Sequence, residues 1–312
     1  MDLEREALLE ISKIDLSKYS LEELSLDREV ALNAIFDDRV EEFEDLNSDE
    51  TLEFRLDYLK LPNVRKEDYL ERVIDLGEHK KVLCGIRHFG GNKEMSFVSL
   101  ATNFSLESKE EALQIYEMIK KHFSVFRPLY LSFYSKVENI ADFYGSIDMV
   151  SLASQIKKIT PWHGEDNLEF EPITDNSFYD WYKKGYEEFH EDRKDLKAKV
   201  TVNSLEVMKG SIEASLIFYA CINGEKVGLI AAERSDYLGH PGVYFNEIFL
   251  MRNWKGKGLA KAMQRKFVAK FCKDNELIWG TIDSHNLPSF NTAKANGRKP
   301  IRYECFINLE SK

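Results

Sequence analysis

Apolar and acidic residues alternate from Leu168 to Ile173, the two-residue period of a strand with one face buried. The period then lengthens. Phe178, Trp181, Tyr182, Tyr186 and Phe189 are spaced as on a helix within Asp175–Val200, and a second helical piece is predicted over Ser204–Ser211. Two β-rich runs follow, Leu216–Ile222 and Val227–Ala232, joined by Asn223-Gly224-Glu225. Asn-Gly between such runs is a strong hairpin signal, because both turn positions need positive φ. The turn Leu238–Gly242 leads to a strand at Val243–Leu250. After a glycine loop comes a helix over Leu259–Lys273, with Leu259, Met263, Phe267 and Phe271 on one stripe. A strand at Leu277–Ile282, a helix at Ser289–Asn296 closed by Gly297, and a last strand at Ile301–Leu309 complete the pattern. The order β-α-α-β-β-β-loop-α-β-α-β predicts an α/β (α+β) fold on a single sheet.

Residues 71–134 read as Glu71–Leu76, Lys81–His88 and Met95–Asn103 in strands, Ser108–Phe123 in a helix and Pro128–Tyr134 in a strand. That is the element order of Leu216–Ile282, so the first half reads as a second, diverged copy of the same fold; an unrelated α/β domain is the other reading. At ~150 residues per domain, 312 residues predict two domains. The polar stretch Pro161–Asp166 is a plausible boundary, giving domains 1–160 and 161–312.

Charge sharpens this division. Residues 161–312 hold 22 basic and 22 acidic residues, so the net −11 lies wholly in residues 1–160. That balance argues against a general nucleic-acid binder. Within the second half, Met251–Lys270 carries seven cations and no acid, while Gly164–Asp180 carries six acids and no base. A basic segment is usually a solvated helix face; this one has a glycine loop inside it. No apolar run approaches the ~18 residues of a membrane span, and the acidic start Met1-Asp2-Leu3-Glu4 is unlike a signal peptide. Cys84, Cys221, Cys272 and Cys305 are scattered through apolar contexts without metal-ligand spacing. No metal is expected, and a reducing, cytoplasmic setting fits best.

The loop Lys255-Gly256-Lys257-Gly258-Leu259-Ala260 lies between a strand and an amphipathic helix. Such a loop leaves the first helical N–H groups unpaired at the positive end of the helix dipole, which suits a phosphate. Neither the P-loop nor the dinucleotide glycine spacing is present.

The segment resembles the pyrophosphate loop of the GNAT acetyltransferase superfamily, with Lys255 in the place of the usual Gln or Arg, Gly258 fourth and Ala260 sixth. Glu247–Leu250 looks like the end of that family's fourth strand, with Trp254 at the aromatic place before the loop. Asn286-Leu287-Pro288-Ser289, followed by Ala293 and Gly297, resembles its next motif. The resemblance covers roughly residues 165–310 and implies an acyl-CoA-dependent N-acyltransferase, most simply one moving acetyl from acetyl-CoA to a primary amine of a small molecule or peptide. It implies that Lys255, Gly256, Lys257, Gly258, Leu259, Ala260 and Lys261 hold the CoA pyrophosphate. Phe249 and Leu250 then pair with the pantetheine arm, and Asn286 bonds near the thioester.

Glu247 is the candidate general base, with Tyr244 and His285 as alternatives; a salt-bridged surface Glu is the bland reading. Many family members carry a Tyr acid where this chain has Ala293, which keeps a non-catalytic acyl-CoA-binding regulatory protein in play. Tyr182, Tyr186, Glu187, Glu188, Glu191 and Asp192 are acids and aromatics on the first helix that would suit a cationic amine, unless they are only a solvated face. Tandem members of the family exist at this length. The first half has Thr102–Glu107 where a pyrophosphate loop would stand, so it is expected to lack CoA. A tandem acyltransferase fed by aminoacyl-tRNA is a third reading, disfavoured by the acidic first half.

Overall fold

Asn223 and Gly224 both adopt positive φ, 51° and 79°, and make the tight hairpin turn that the sequence predicts. A computed structural model describes residues 3–106, 108–136, 148–159, 167–197 and 200–309. The chain divides into two units: Met1–Met149 with Ile301–Lys312, and Val150–Pro300. The predicted boundary at Pro161–Asp166 lies outside the described residues.

The first unit opens with three helices, α1 (Leu3–Ser17), α2 (Arg28–Leu46) and α3 (Asp49–Leu59). Asp27 caps α2 by accepting from the Glu29 and Val30 N–H groups, and Ser48 caps α3 through Thr51. Strands β1 (Arg72–Gly77), β2 (Lys80–His88) and β3 (Ser96–Thr102), helix α4 (Lys109–Ile119) and strand β4 (Tyr130–Ser135) follow. β1, β2 and β3 pair antiparallel in turn, and β3 pairs β4 in parallel.

In the second unit stand nearly all of β5 (Asp148–Gln155), then β6 (Leu168–Pro172), α5 (Tyr179–Asp192), α6 (Leu205–Glu213), β7 (Ile217–Ile222), β8 (Glu225–Arg234), β9 (Gly242–Leu250), α7 (Leu259–Phe271), β10 (Leu277–Asp283) and α8 (Leu287–Ala295). Its strands run in the order β5-β10-β9-β8-β7-β6. Pairing is antiparallel from β6 to β9 and parallel between β9 and β10. The sheet is mixed and mostly antiparallel, with helices on both faces. On one face Phe218, Ala220, Ile230, Phe245 and Leu250 pack with Met263 and Phe267 of α7. On the other, Tyr219, Leu229, Ala231 and Phe249 pack with Tyr182, Tyr186 and Met208 of α5 and α6. Burying both faces explains why β7 is buried throughout rather than alternating.

The last strand, β11 (Lys299–Asn308), is a departure from the single-sheet order read for the second half. Its body lies in the first unit, paired antiparallel with β4 from Tyr303↔Ser135 to Asn308↔Tyr130. Cys305 and Ile307 belong to that unit's core, and Phe306 meets Phe97 and Phe89 edge-on. Period-two patterning shows that a strand exists but not which neighbour it pairs with.

The β1-β2-β3-α4-β4 run of the first unit repeats the order and pairing senses of β7-β8-β9-α7-β10. In both runs the parallel pair is in register over three positions.

Candidate active site

β9 and β10 pair only over Leu277↔Gly242, Ile278↔Val243 and Trp279↔Tyr244. β9 continues to Leu250 and β10 to Asp283, so a cleft opens between their carboxyl ends, the usual ligand position beside parallel strands. The register of β9 against β8 slips at the same level: Ala231 faces Glu247 but Ala232 faces Phe245, leaving Asn246 as a bulge. The bulge resets which face each side chain takes. Phe245 points to the α7 side, and Glu247 to the α5 side. Beyond it the Met251 N–H bonds Val227 C=O on β8 (2.9 Å). By alternation Phe249 also turns its peptide groups to β8, while Ile248 and Leu250 turn theirs to the open edge.

At the mouth of this cleft Gly258 caps α7 with φ +78°, and Gly256 has φ +77°. A Cβ at either would meet nothing within 4 Å, so it is backbone conformation and not space that asks for glycine here. The first helical bond runs from Lys261 N–H to Gly258 C=O (3.1 Å). The N–H groups of Leu259 and Ala260 precede any carbonyl the helix could offer them. Lys255 does not extend outward: its ammonium sits over the Phe189 ring at 4.1 Å and 6.0 Å from Phe249. Loss of solvent against these rings pulls its pKa down. Lys257 covers Trp254 at 4.7 Å, and Arg252 pairs with Asp192 on α5.

Glu247 is buried, not a surface acid. Both Tyr182 and Tyr186 donate their phenols to its Oε2, Tyr186 at 2.8 Å, and the Ile248 N–H donates to Oε1 at 2.8 Å. Asn203 Nδ2 stands 3.5 Å from Oε2 and bonds the Asn246 carbonyl at 2.8 Å. Burial raises the carboxyl pKa, and these donors only partly oppose it. Both phenols are pushed up by burial and by the adjacent carboxylate, so they are donors, not bases.

α5 can approach β9 this closely because residue 185 is glycine: a Cβ there would lie 2.3 Å from Phe249 Cζ. Phe249 in turn stacks on Tyr186 (5.5 Å, 20°). The helix thus divides the residues grouped for an amine acceptor. Tyr182 and Tyr186 turn inward to Glu247, whereas Glu187, Glu188 and Glu191 line a cavity of about 510 Å³ with Lys184, Lys226 and Arg252.

The alternatives fall elsewhere. Tyr244 reaches across the end of the β9–β10 pairing to Thr281 (3.3 Å). His285 is exposed, its Nδ1 3.1 Å from Asp283 Oδ1. Asn286 stands before α8, past the end of β10, with its N–H on Asp283 C=O (2.9 Å). Ala293 is wholly buried. Asn203 and the bulge at Asn246 are the parts that sequence reasoning missed. Asn203 sits in an unpatterned loop; the bulge had a signal in the three-residue step from Phe245 to Ile248.

Residues 175–297 match the model of the acetyltransferase (GNAT) family. No curated protein matches the chain. Among solved structures the chain is similar to a GCN5-related N-acetyltransferase from Sphaerobacter thermophilus (10% identity, TM-score 0.47, 75% of this chain and 81% of that one). It is similar also to a GNAT-family acetyltransferase from Colwellia psychrerythraea (9%, 0.45, 82% and 95%) and to a GCN5-related N-acetyltransferase from Kribbella flavida (10%, 0.40, 84% and 95%). With the glycine loop, the splayed strands and the bulged β9 all inside the matched stretch, the second half of the chain carries an acetyltransferase (GNAT) family domain at residues 175–297.

Proposed function

We propose that the protein is an acyl-CoA-dependent N-acyltransferase, transferring acetyl from acetyl-CoA to a primary amine of a small molecule or peptide. The observations that support this reading are the helical N–H groups of Leu259 and Ala260, which no carbonyl of their own helix can take, an open strand edge at Leu250, and a buried acid at Glu247. Gly256–Lys261 hold the pyrophosphate, with Lys255 buttressing the loop on Phe189. Leu250 offers peptide groups to the pantetheine arm, Phe249 shapes the cleft with its ring, and Asn286 lies beyond the far strand to hold the arm near the thioester. The amine nitrogen bonds the acyl carbon as the carbon–sulfur bond breaks, and the amine proton goes to Glu247. Tyr182 and Tyr186 fix that carboxylate in place. Holding amine and thioester together supplies much of the acceleration.

The first unit is in this reading a diverged copy of the domain, without CoA. The helix that follows its third strand is capped by Ser108, whose hydroxyl accepts from the Glu111 N–H (3.1 Å), and no glycine stands between Thr102 and Ser108. A cytoplasmic setting suits the four cysteines, which form no disulfide among the described residues. No helix among the described residues is long and apolar enough to cross a membrane.

The second reading, an acyl-CoA-binding protein without turnover, is favoured by one observation: Ala293 presents no hydroxyl and is buried. Glu247→Gln separates the two. Loss of acetyl transfer by ~10²-fold or more with CoA binding intact supports the enzyme. Absence of transfer by the wild type to any amine in a broad screen, with CoA bound, supports the binding protein.

A further inference from the structure

The first unit has its own splayed pair. β3 and β4 are in register only over Phe97↔Tyr130, Val98↔Leu131 and Ser99↔Ser132. At their carboxyl ends lies a cavity of about 240 Å³, room for a molecule of several heavy atoms. Its lining includes Ser17 and Lys18 from the end of α1, Ser105 before α4, and Tyr134, Ser135 and Lys136 from the end of β4.

Among the described residues, cations gather behind this wall. Asp15 is shared by three cations, Lys18 (3.0 Å), Arg39 and Arg302 (3.9 Å). Arg302 also sits over the Tyr134 ring at 3.6 Å. Of the other acids near Tyr134, Glu42 pairs with Arg87 (3.1 Å), and Glu304 accepts from Ser132 Oγ (2.9 Å), with burial pushing its pKa up. Burial likewise holds the Tyr134 phenol up to about 12, so it is a donor at neutral pH. Lys18 and Lys136 thus line the cavity from different parts of the chain, with the hydroxyls of Ser105 and Tyr134, while Ser17 and Ser135 donate theirs to the Ile14 and Lys136 carbonyls.

We propose that this cleft binds a small dicarboxylate. Two lysines from separate parts of the chain match two anionic ends, and the Ser105 and Tyr134 hydroxyls match carboxylate oxygens. The proposal concerns only the first unit and is independent of the CoA reading.

Calorimetric titration of the full chain with succinate tests it, using wild type, Lys136→Glu, Ser105→Trp and Gly258→Glu. Ser105 is exposed and Lys136 lies just past the strand, so neither change removes core packing. The expected result is saturable binding by wild type and Gly258→Glu, at least tenfold weaker in both Lys136→Glu and Ser105→Trp. No saturable binding by wild type up to 50-fold the concentration of protein in the low millimolar range, roughly the weakest affinity of use, overturns it. So does binding unchanged in Lys136→Glu and Ser105→Trp, binding lost in Gly258→Glu instead, or binding of inorganic phosphate but not succinate.

Discussion

Removing one phenol from the Glu247 carboxylate, by Tyr186→Phe, is a perturbation whose size and pH dependence both follow from the geometry. The lost bond is a buried, charge-assisted one at 2.8 Å. Such bonds contribute about 1.5–3 kcal/mol. The ring itself stays, so its stacking on Phe249 is kept. Glu247 has its pKa raised by burial, so the native state binds its proton more tightly than the unfolded chain does. Its effect on stability is therefore most favourable at or below the ordinary carboxylate range and worsens as pH rises through the raised native value. Tyr186→Phe raises that value further, since the charged form loses a donor. The stability difference between variant and wild type must then grow with pH, reaching about 1.5–3 kcal/mol at pH 8 and shrinking at pH 5. Urea unfolding at the two pH values measures it, with Glu247→Gln as a background in which the pH dependence vanishes. An equal difference at both pH values would refute the charged-carboxylate argument. In acetyl transfer, the acid limb of kcat/KM moves to higher pH in the same variant, provided that Glu247 is the base.

Two further outcomes are expected. Gly185→Ala places a methyl 2.3 Å from Phe249 Cζ. Overpacking of about 1–3 kcal/mol then exceeds the ~1 kcal/mol gained in helix propensity, so the melting temperature falls; a rise would show that α5 is not held against Phe249. Among the described residues no acid stands beside buried Arg298; its guanidinium bonds Gln264 (2.7 Å) and lies over Phe245, and burial lowers its pKa to about 10. The double change Arg298→Met with Gln264→Leu is predicted to leave stability within about 1 kcal/mol or to raise it. A loss of several kcal/mol in thermal unfolding would show that the cation is held by more than these contacts.

Much of this arrangement was legible in the residues because local chemistry determines it. Asn223-Gly224 fixes a turn by φ alone, and Gly256 and Gly258 mark a loop whose conformation side chains resist. The stripe of α7 and the apolar run of β9 needed only periodicity. What stayed hidden depends on contacts distant in sequence. That β11 completes the first unit's sheet is decided by Phe306 meeting Phe97, more than 200 residues away in the chain. That Tyr182 and Tyr186 serve Glu247 instead of an amine groove depends on the face α5 turns inward, which Gly185 permits. Helices α1 to α3 carry readable caps at Asp27 and Ser48 but lie before the patterned segments, so their capping chemistry went unused.

The central claim, that the loop at Gly258 and the cleft behind it hold acetyl-CoA, is tested most directly by a thermal-shift titration of wild type beside Gly258→Glu. A ligand bound only to the folded state at ~100 times its dissociation constant adds ~2.7 kcal/mol. Each protein is compared with itself without ligand, so any strain from the substitution at φ +78° cancels. The account predicts a clear rise for wild type and none for Gly258→Glu. Equal rises in both, or none in the wild type, would contradict it.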